Sequence, residues 1–494
     1  MSARASSYDL AVIGGGPGGY VAALRGAQLD CSVALIEEAE LGGTCLNRGC
    51  IPTKALLGAA QVLDSAEKAA RFGIEVPAVS FDLDKVRRHK DRCVKQLTSG
   101  VGTLLERAGV EVLAGHGRFL GPNEVSVTGP DGESVVEAEA IVIATGSRAI
   151  ANLVDGADGE NVWTSDDAVR FERVPKSMIV IGAGPTGMEF ACIYLHFGAQ
   201  VTLMEMFDRP LPREDPEVSE VVMSIFTRRG GKLEMNAHVK SIEDAPEGKR
   251  VIFERDGREH HAEAEVILIA VGRCPNTEDL GAEAASLELA RQCVCVREGV
   301  DTPSMDPKEP KAESCPGASL RTSQDHIYAI GDCIRGIGLA HLAMHEAVAA
   351  VEDSQGLPSY LNYNAIPTAM YCHPELASVG LQEHRARELG IEVSVGKFPF
   401  AANGRAVTLG VREGFAKIIT DPDSGRVLGA AIVGKLTTEL IAELTLAVEI
   451  GASAEDLVNT IHAHPTYSEV VHEAALCVLG RPLHTPMPRR TGRG

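Results

Sequence analysis

The strongest constraint on this chain is a motif that it carries twice. Residues 8–19 read YDLAVIGGGPGG, a short apolar strand pattern that runs into Gly14-x-Gly16-x-x-Gly19. An alanine-rich helical stretch follows, then a second strand pattern, CSVALIEE, which bears Glu37. Residues 178–187 read MIVIGAGPTG and supply Gly182-x-Gly184-x-x-Gly187; a helical stretch and the strand pattern QVTLMEM, bearing Glu205, come next. In both copies the acid lies 18 positions after the last glycine, and the copies are offset by 168 residues at glycines and glutamates alike.

Each residue type has a physical task. The first glycine permits the tight turn, and the second lets backbone N–H groups approach a pyrophosphate at the positively polarised start of a helix. The third allows close helix–strand packing, and the acid accepts hydrogen bonds from ribose hydroxyls. A lone glycine fingerprint is weak; strand, glycines, helix, strand and acid in register, found twice, predict two parallel βαβ units and two bound dinucleotides. The first unit closes with AIVIATGS (140–147), where Gly146 lets backbone pass near a ligand, and the second with EVILIAVGR (265–273).

At 494 residues the chain is too long for one ordinary core. We divide it into dinucleotide-binding domains at 1–150 and 151–280, a central domain at 281–353, an α+β domain of alternating strands and helices at 354–480, and a flexible tail at 481–494. The fold class is α/β. Between Asp301 and Gln324 a polar stretch with four prolines reads as an exposed loop. The formal charge is 47 − 68 = −21, which argues against a broad nucleic-acid surface. No apolar run approaches the roughly 18–20 residues that span a bilayer. Only seven residues precede the first strand pattern, so no signal peptide is expected. Twelve cysteines without a leader point to a reducing, cytoplasmic setting, where paired cysteines do redox or metal chemistry more often than they staple.

One such pair stands in GGTCLNRGCIPTK (42–54), where Cys45 and Cys50 lie five apart inside the first dinucleotide unit. Inert thiols, half of a metal site and a redox disulfide are the three readings. A metal would need more ligands, and no second CxxC or nearby histidine accompanies the pair. Regular helix would hold positions five apart beyond the roughly 4.4–6.8 Å that a disulfide spans between Cα atoms. Gly42-Gly43 and Pro52 are expected to let the backbone leave regular helix before and after, which makes bridging feasible. A disulfide beside a dinucleotide suits a flavin, which exchanges two electrons with it. The second constellation is HAHPTYSE (462–469), in which His464 lies five before Glu469. A carboxylate favours the imidazolium and makes such a histidine an acid–base near neutral pH, which thiol–disulfide exchange requires.

These segments, together with ATGS, GAGPTGMEF, VGRCPNT and AIGD, resemble in order and spacing the flavin-dependent pyridine nucleotide–disulfide oxidoreductases over nearly the whole chain. The combination of CLNRGCIPTK with HAHPTYSE is most similar to the dihydrolipoamide dehydrogenase branch. The resemblance implies that Cys45 is the interchange thiol and Cys50 the thiolate against the flavin. It makes His464, held by Glu469, the base that reaches the cysteines of the other subunit of a homodimer with shared active sites. Lys54 would approach the flavin and pair with Glu189. FAD would be held by Gly14, Gly16, Gly19, Glu37, Gly43, Thr44, Lys54, Gly117, Thr145, Gly146, Ser147, Asp332 and Ala340. NAD would be held by Gly182, Gly184, Gly187, Glu189, Glu205, Val239 and Gly272. The electron donor would be a lipoyl-bearing carrier protein, with no nucleic-acid or membrane partner. NAD rather than NADP also has a physical ground. Glu205 would repel a 2′-phosphate, and Met206 and Phe207 stand where an arginine would bind one; Arg209 reads as a surface charge.

Three features depart from the family pattern. The 301–324 segment, with Cys315, is longer; Leu342 replaces a lysine after LAH; and Cys293 and Cys295 share one face of a strand pattern, read as packed thiols. Two rivals are weaker. Mercuric reductases and large thioredoxin reductases place a cysteine pair near the C-terminus, where Cys477 is alone, and the base motif and the segment between the cysteines do not suit glutathione. A purely structural flavoprotein subunit would have no need of Cys45, Cys50, His464 and Glu469 together.

Overall fold

The computed structural model describes residues 6–130, 132–297, 320–334 and 336–486. Cys315, most of the 301–324 segment and the arginine-rich end of the tail lie outside them. The chain divides into two compact units, each discontinuous in sequence: one of residues 1–151, 163–173 and 272–363, the other of 152–162, 174–271 and 364–494.

The repeat seen in sequence is a repeat in topology. In the first unit, parallel strands run in the order Glu111–Ala114, Val33–Glu37, Ser6–Ile13 and Gly132–Ile143. In the second the order is Lys232–Glu234, Gln200–Met204, Ser177–Ile181 and Val266–Ile269, also all parallel. The central strands of both are buried apolar runs, as parallel strands covered on both faces must be. Atoms repeat as well: Gly14 N–H donates to Ile36 O and Gly182 N–H to Met204 O, both at 2.8 Å. The fourth strand of the first unit is longer than its AIVIATGS core, because its first half pairs antiparallel with Glu124–Gly129. Its last residues pair in parallel with Ile327–Ala329, so the DHIYAIGD segment completes this sheet.

The second unit adds an antiparallel meander, 238–264, and then a five-stranded antiparallel sheet spanning 368–434. Helices Thr437–Ile450 and Glu469–Val478 pack on that sheet around a core of Phe398, Ile418, Ile432, Leu444 and Val471. Of the 481–494 tail, residues 481–486 lie within the described residues, and two of their side chains are paired. His484 Nδ1 lies 2.6 Å from Glu473 Oε1, and Arg481 pairs with Glu455 at 2.7 Å.

Two buried charges organise these cores. Lys417, on strand Phe415–Thr420, is 2% exposed and donates to Asp215 at 2.9 Å and Glu383 at 2.7 Å, with Glu217 as a third partner. Asp215 caps the helix Pro216–Arg228 of the dinucleotide part, so this cation fastens that helix to the C-terminal sheet. In the first unit the fully buried Glu346 accepts from Gly331 N–H at 2.7 Å and Tyr363 Oη–H at 3.1 Å. Burial is the main reason that its carboxyl is pushed up to about 7.

Each charge gives an expected outcome. Lys417→Met leaves the buried Asp215 carboxylate without its cation, beside the part-exposed Glu217 and Glu383, and should cost about 3–5 kcal/mol of stability, read from denaturant unfolding. The folded state holds the Glu346 proton more tightly than the unfolded chain, so its stabilising contribution is complete in acid and is lost as pH rises through about 7. Glu346→Gln cannot ionise; its fall in Tm from about pH 5.5 to about pH 8 should therefore be smaller than that of the wild type.

Candidate active site

The glycine loops show why each position must be glycine, and for whom. A Cβ on Gly19 would stand 1.7 Å from Gly14 O, and one on Gly187 would stand 1.9 Å from Gly182 O. The third glycine of each motif is therefore required by the protein itself, where the helix backbone meets the strand turn. The middle glycines are different. A Cβ on Gly184 would meet nothing within 4 Å, and one on Gly16 would meet only Gly43 Cα at 3.9 Å. The space beside them is what a pyrophosphate at the start of helices Pro17–Gln28 and Pro185–His196 would fill. Gly146, at φ +67, likewise faces open space.

The acids stand at the strand tips. Glu37 Oε2 accepts from Gly15 N–H at 2.6 Å, and Glu205 Oε2 from Ala183 N–H at 2.8 Å. Glu205 Oε1 also takes the Met206 and Phe207 N–H groups, at 2.8 and 3.2 Å. Burial raises the Glu37 carboxyl above its ordinary value against the pull of the Ala39 and Gly15 N–H groups. Arg209 is turned to Asp208 and to Pro212 O, at 3.3 and 3.1 Å, which leaves it engaged elsewhere. The residues present thus fit two dinucleotides, one at each glycine loop.

Of the remaining expected FAD contacts, Ser147 Oγ donates to Asp332 Oδ2 at 2.5 Å, and Ala340 opens the helix Ala340–Ser354. Gly117 lies in the strand His116–Phe119, where a Cβ would press on Ile13 and Ile36 at 3.1 Å. Sequence reasoning missed Arg273. Its Nε donates to Ser147 Oγ at 2.7 Å, and Nη2 reaches Ser147 O at 2.6 Å and Thr44 Oγ1 at 3.4 Å. It lies 3.8 Å from Asp332, so one cation joins three expected FAD residues. The signal was present in VGRCPNT, but nothing in the sequence said which side chains it would reach. In the second unit Glu189 accepts from Tyr371 N–H at 3.0 Å, while Val239 packs against an apolar cluster with Ile242 and Phe253. Gly272, with φ +147, follows the Val266–Ile269 strand.

The cysteines occupy a helix break, although not in the expected place. A short helix, Gly43–Asn47, carries Cys45; the chain leaves helical geometry at Arg48 and Gly49, and a new helix, Cys50–Glu67, starts at Cys50. Pro52 does not end a helix; it lies in the first turn, where its missing N–H costs nothing. The break between the cysteines, rather than after them, brings the sulfurs together. Both are thiols here, and Cys45 is hydrogen-bonded to Cys50. That bond, followed by burial and the charge of Cys50, raises the Cys45 thiol; Lys54 acts in the opposite direction. Cys293 and Cys295 are part-exposed on either side of the buried Val294, and among the described residues no group of side chains forms a metal site.

The second unit carries the base motif. His464 Nδ1 lies 2.8 Å from Glu469 Oε1, and Glu469 also accepts from Thr466 N–H at 2.9 Å. Burial works to raise the Glu469 carboxyl, but the bonds from His464 and Thr466 prevail and hold it below its ordinary value. With Nδ1–H given to the carboxylate, Nε2 is the proton-accepting atom, on a side chain 78% exposed. Nearby, Leu446, Ile450 and Ile461 are exposed apolar side chains, Ile461 at 96%.

Residues 8–347 match the family described as pyridine nucleotide-disulphide oxidoreductase, and residues 366–475 match the dimerisation domain of that family. A dihydrolipoyl dehydrogenase from Bacillus subtilis is 40% identical over 477 residues, 96% of this chain and 97% of the relative. One from Thermus scotoductus is 41% identical over 482 residues, 97% and 99% of the two chains. Among solved structures, LpdA from Mycobacterium tuberculosis aligns with TM-score 0.82 at 26% identity, covering 94% of this chain and 98% of that one. The HOCl-induced flavoprotein disulfide reductase RclA from Escherichia coli aligns with TM-score 0.80 at 26% identity, covering 95% and 99%. With its paired glycine loops, its cysteine pair and a dimerisation domain, this chain belongs to the pyridine nucleotide–disulphide oxidoreductases, homodimeric flavoproteins that use FAD and NAD(H).

Proposed function

We propose that the chain is a dihydrolipoyl dehydrogenase, reoxidising dihydrolipoyl groups on a carrier protein with NAD through FAD and a Cys45–Cys50 redox disulfide. The observation that carries this reading is the helix break that brings the two sulfurs within hydrogen-bonding reach of each other. An exposed His464 backed by Glu469 and the dihydrolipoyl dehydrogenases at about 40% identity support it. FAD would be held by the Gly14–Gly19 loop, Glu37, Gly43, Thr44, Gly117, Thr145, Gly146, Ser147, Asp332 and Ala340. NAD would be held by the Gly182–Gly187 loop, Glu189, Glu205, Val239 and Gly272, and Lys54 would contribute to the FAD site. When bound, the cofactors supply the two-electron route from the dithiol to NADH.

The residues of the chain manage sulfur and protons. His464 Nε2 of one subunit takes the proton of a dihydrolipoyl thiol, and the resulting thiolate attacks Cys45 Sγ of the other. A substrate–Cys45 bond forms, the Cys45–Cys50 bond breaks, and Cys50 leaves as thiolate. The second substrate sulfur then attacks the first, closing the lipoyl disulfide. Cys45 departs with the proton from His464, and the proton of the second thiol replaces it on the ring. Two electrons and two protons have left the substrate, and the cysteine pair ends with Cys45 protonated and Cys50 a thiolate.

Cys45→Ser and Cys50→Ser should each abolish NADH formation from dihydrolipoamide while the purified protein stays yellow with FAD. His464→Gln should lower turnover by about 10²–10⁴-fold, the scale of a positioned acid–base; near-normal turnover would remove it from this role. Glu205→Ala should cut kcat/KM for NAD by about 10–100-fold, the scale of a hydrogen bond to a charged group, and narrow the preference over NADP.

A further inference from the structure

The charge state of His462 is set by what its ring faces. Its side chain is 5% exposed, although Ile461 and His464 on either side of it in the motif are open. Nδ1 lies 2.9 Å from Thr460 O, and Nε2 lies 3.0 and 3.3 Å from the two oxygens of Glu443. A carbonyl oxygen accepts, and so does an ionised carboxylate. Both ring nitrogens must therefore donate, which only the imidazolium can do. A neutral ring would turn a lone pair on one of these oxygens inside a closed site.

The neighbouring groups act on this cation from every side. Helix Thr437–Ile450 contributes Glu443; helix Glu469–Val478 contributes Glu469 and the His472 ring, 5.6 Å away between centroids; His464 follows two residues on. The Glu443 bond raises the ring above the ordinary histidine value, with burial opposing it. The His462 charge is in turn one of the influences that hold the Glu469 carboxyl low.

We propose that His462 is a fixed imidazolium and a positioning residue for the base. Its charge keeps Glu469 ionised as the partner of His464 and stands as a like charge two residues from the ring whose open Nε2 takes the substrate proton. This rests on the reading of His464 as the base, and two measurements separate the one from the other. The first needs no substrate: imidazole NMR of the [15N]histidine-labelled holoenzyme at about pH 8 should show one ring with both nitrogens protonated, absent in His462→Gln. If His462→Gln removes a neutral ring instead, the fixed charge is refuted whatever the enzyme oxidises.

The second measurement reads the effect on the base. In His462→Gln the acid limb of kcat/KM for dihydrolipoamide should move up by about one pH unit, the scale on which a nearby like charge shifts a titration. Glu443→Gln should move it in the same direction. Iodoacetamide alkylation of the NADH-reduced holoenzyme across the same pH range should show a matching shift without any lipoyl substrate. Turnover that falls in both variants while both limbs stay in place would make His462 a packing residue and overturn the proposal.

Discussion

The structure depends on a contact in which there is no room for a side chain. Helix backbone at Gly19 and at Gly187 rests against the carbonyl of the strand turn, so close that a Cβ would stand inside 2 Å of it. This approach draws the start of each helix over the end of its sheet and leaves the middle glycine facing unfilled space. The acid at the tip of the neighbouring strand then takes the loop N–H groups, as Glu37 and Glu205 do. A ribose and a pyrophosphate are accommodated by the same geometry that closes the core, which explains why the motif can be reused 168 residues later with its hydrogen bonds intact.

The chemistry is added to this frame by local disruption. Two sulfurs five residues apart cannot meet along a continuous helix, and Gly49, at φ −124 and ψ −111, supplies the interruption. Because the second helix begins at Cys50 itself, its free N–H groups and positive end lie at that sulfur, whereas Cys45 belongs to the preceding short helix. Unequal surroundings give the two cysteines unequal work. The one at the helix start is the one suited to a thiolate.

Much of this was legible in the sequence because the signals are short-range and periodic. The glycine spacing, the acid 18 residues on and the cysteine spacing are each fixed by local backbone geometry. What escaped depends on distant parts of the chain arriving at one place. Arg273 gains meaning only when the strand Arg273–Pro275 pairs with Ser147–Ala149 and carries its guanidinium to Ser147, Thr44 and Asp332. Lys417 looks like an exposed strand residue until Asp215 and Glu383 close around it. Pro52 misled for the opposite reason: proline disrupts helix interiors but is tolerated in a first turn, and only the structure shows that the helix begins at Cys50. The linker-like composition of the tail gave no sign that His484, at its start, finds a buried carboxylate in Glu473.

Two histidines in one motif show how far surroundings, rather than residue type, assign a role. His462 and His464 are both paired to glutamates at about 3 Å or less. His462 has an acceptor at each nitrogen and almost no exposure, so moving a proton off it would leave an oxygen without its donor inside the fold. His464 has an acceptor at one nitrogen only, and its other edge is open. A ring bound on both sides can hold a charge but cannot exchange a proton cheaply. A ring bound on one side is oriented by that bond and remains free to exchange at the other. The same alternation of apolar and polar surroundings that buries one histidine and exposes the next therefore fits one ring to the proposed fixed charge and the other to the proposed base, within three residues.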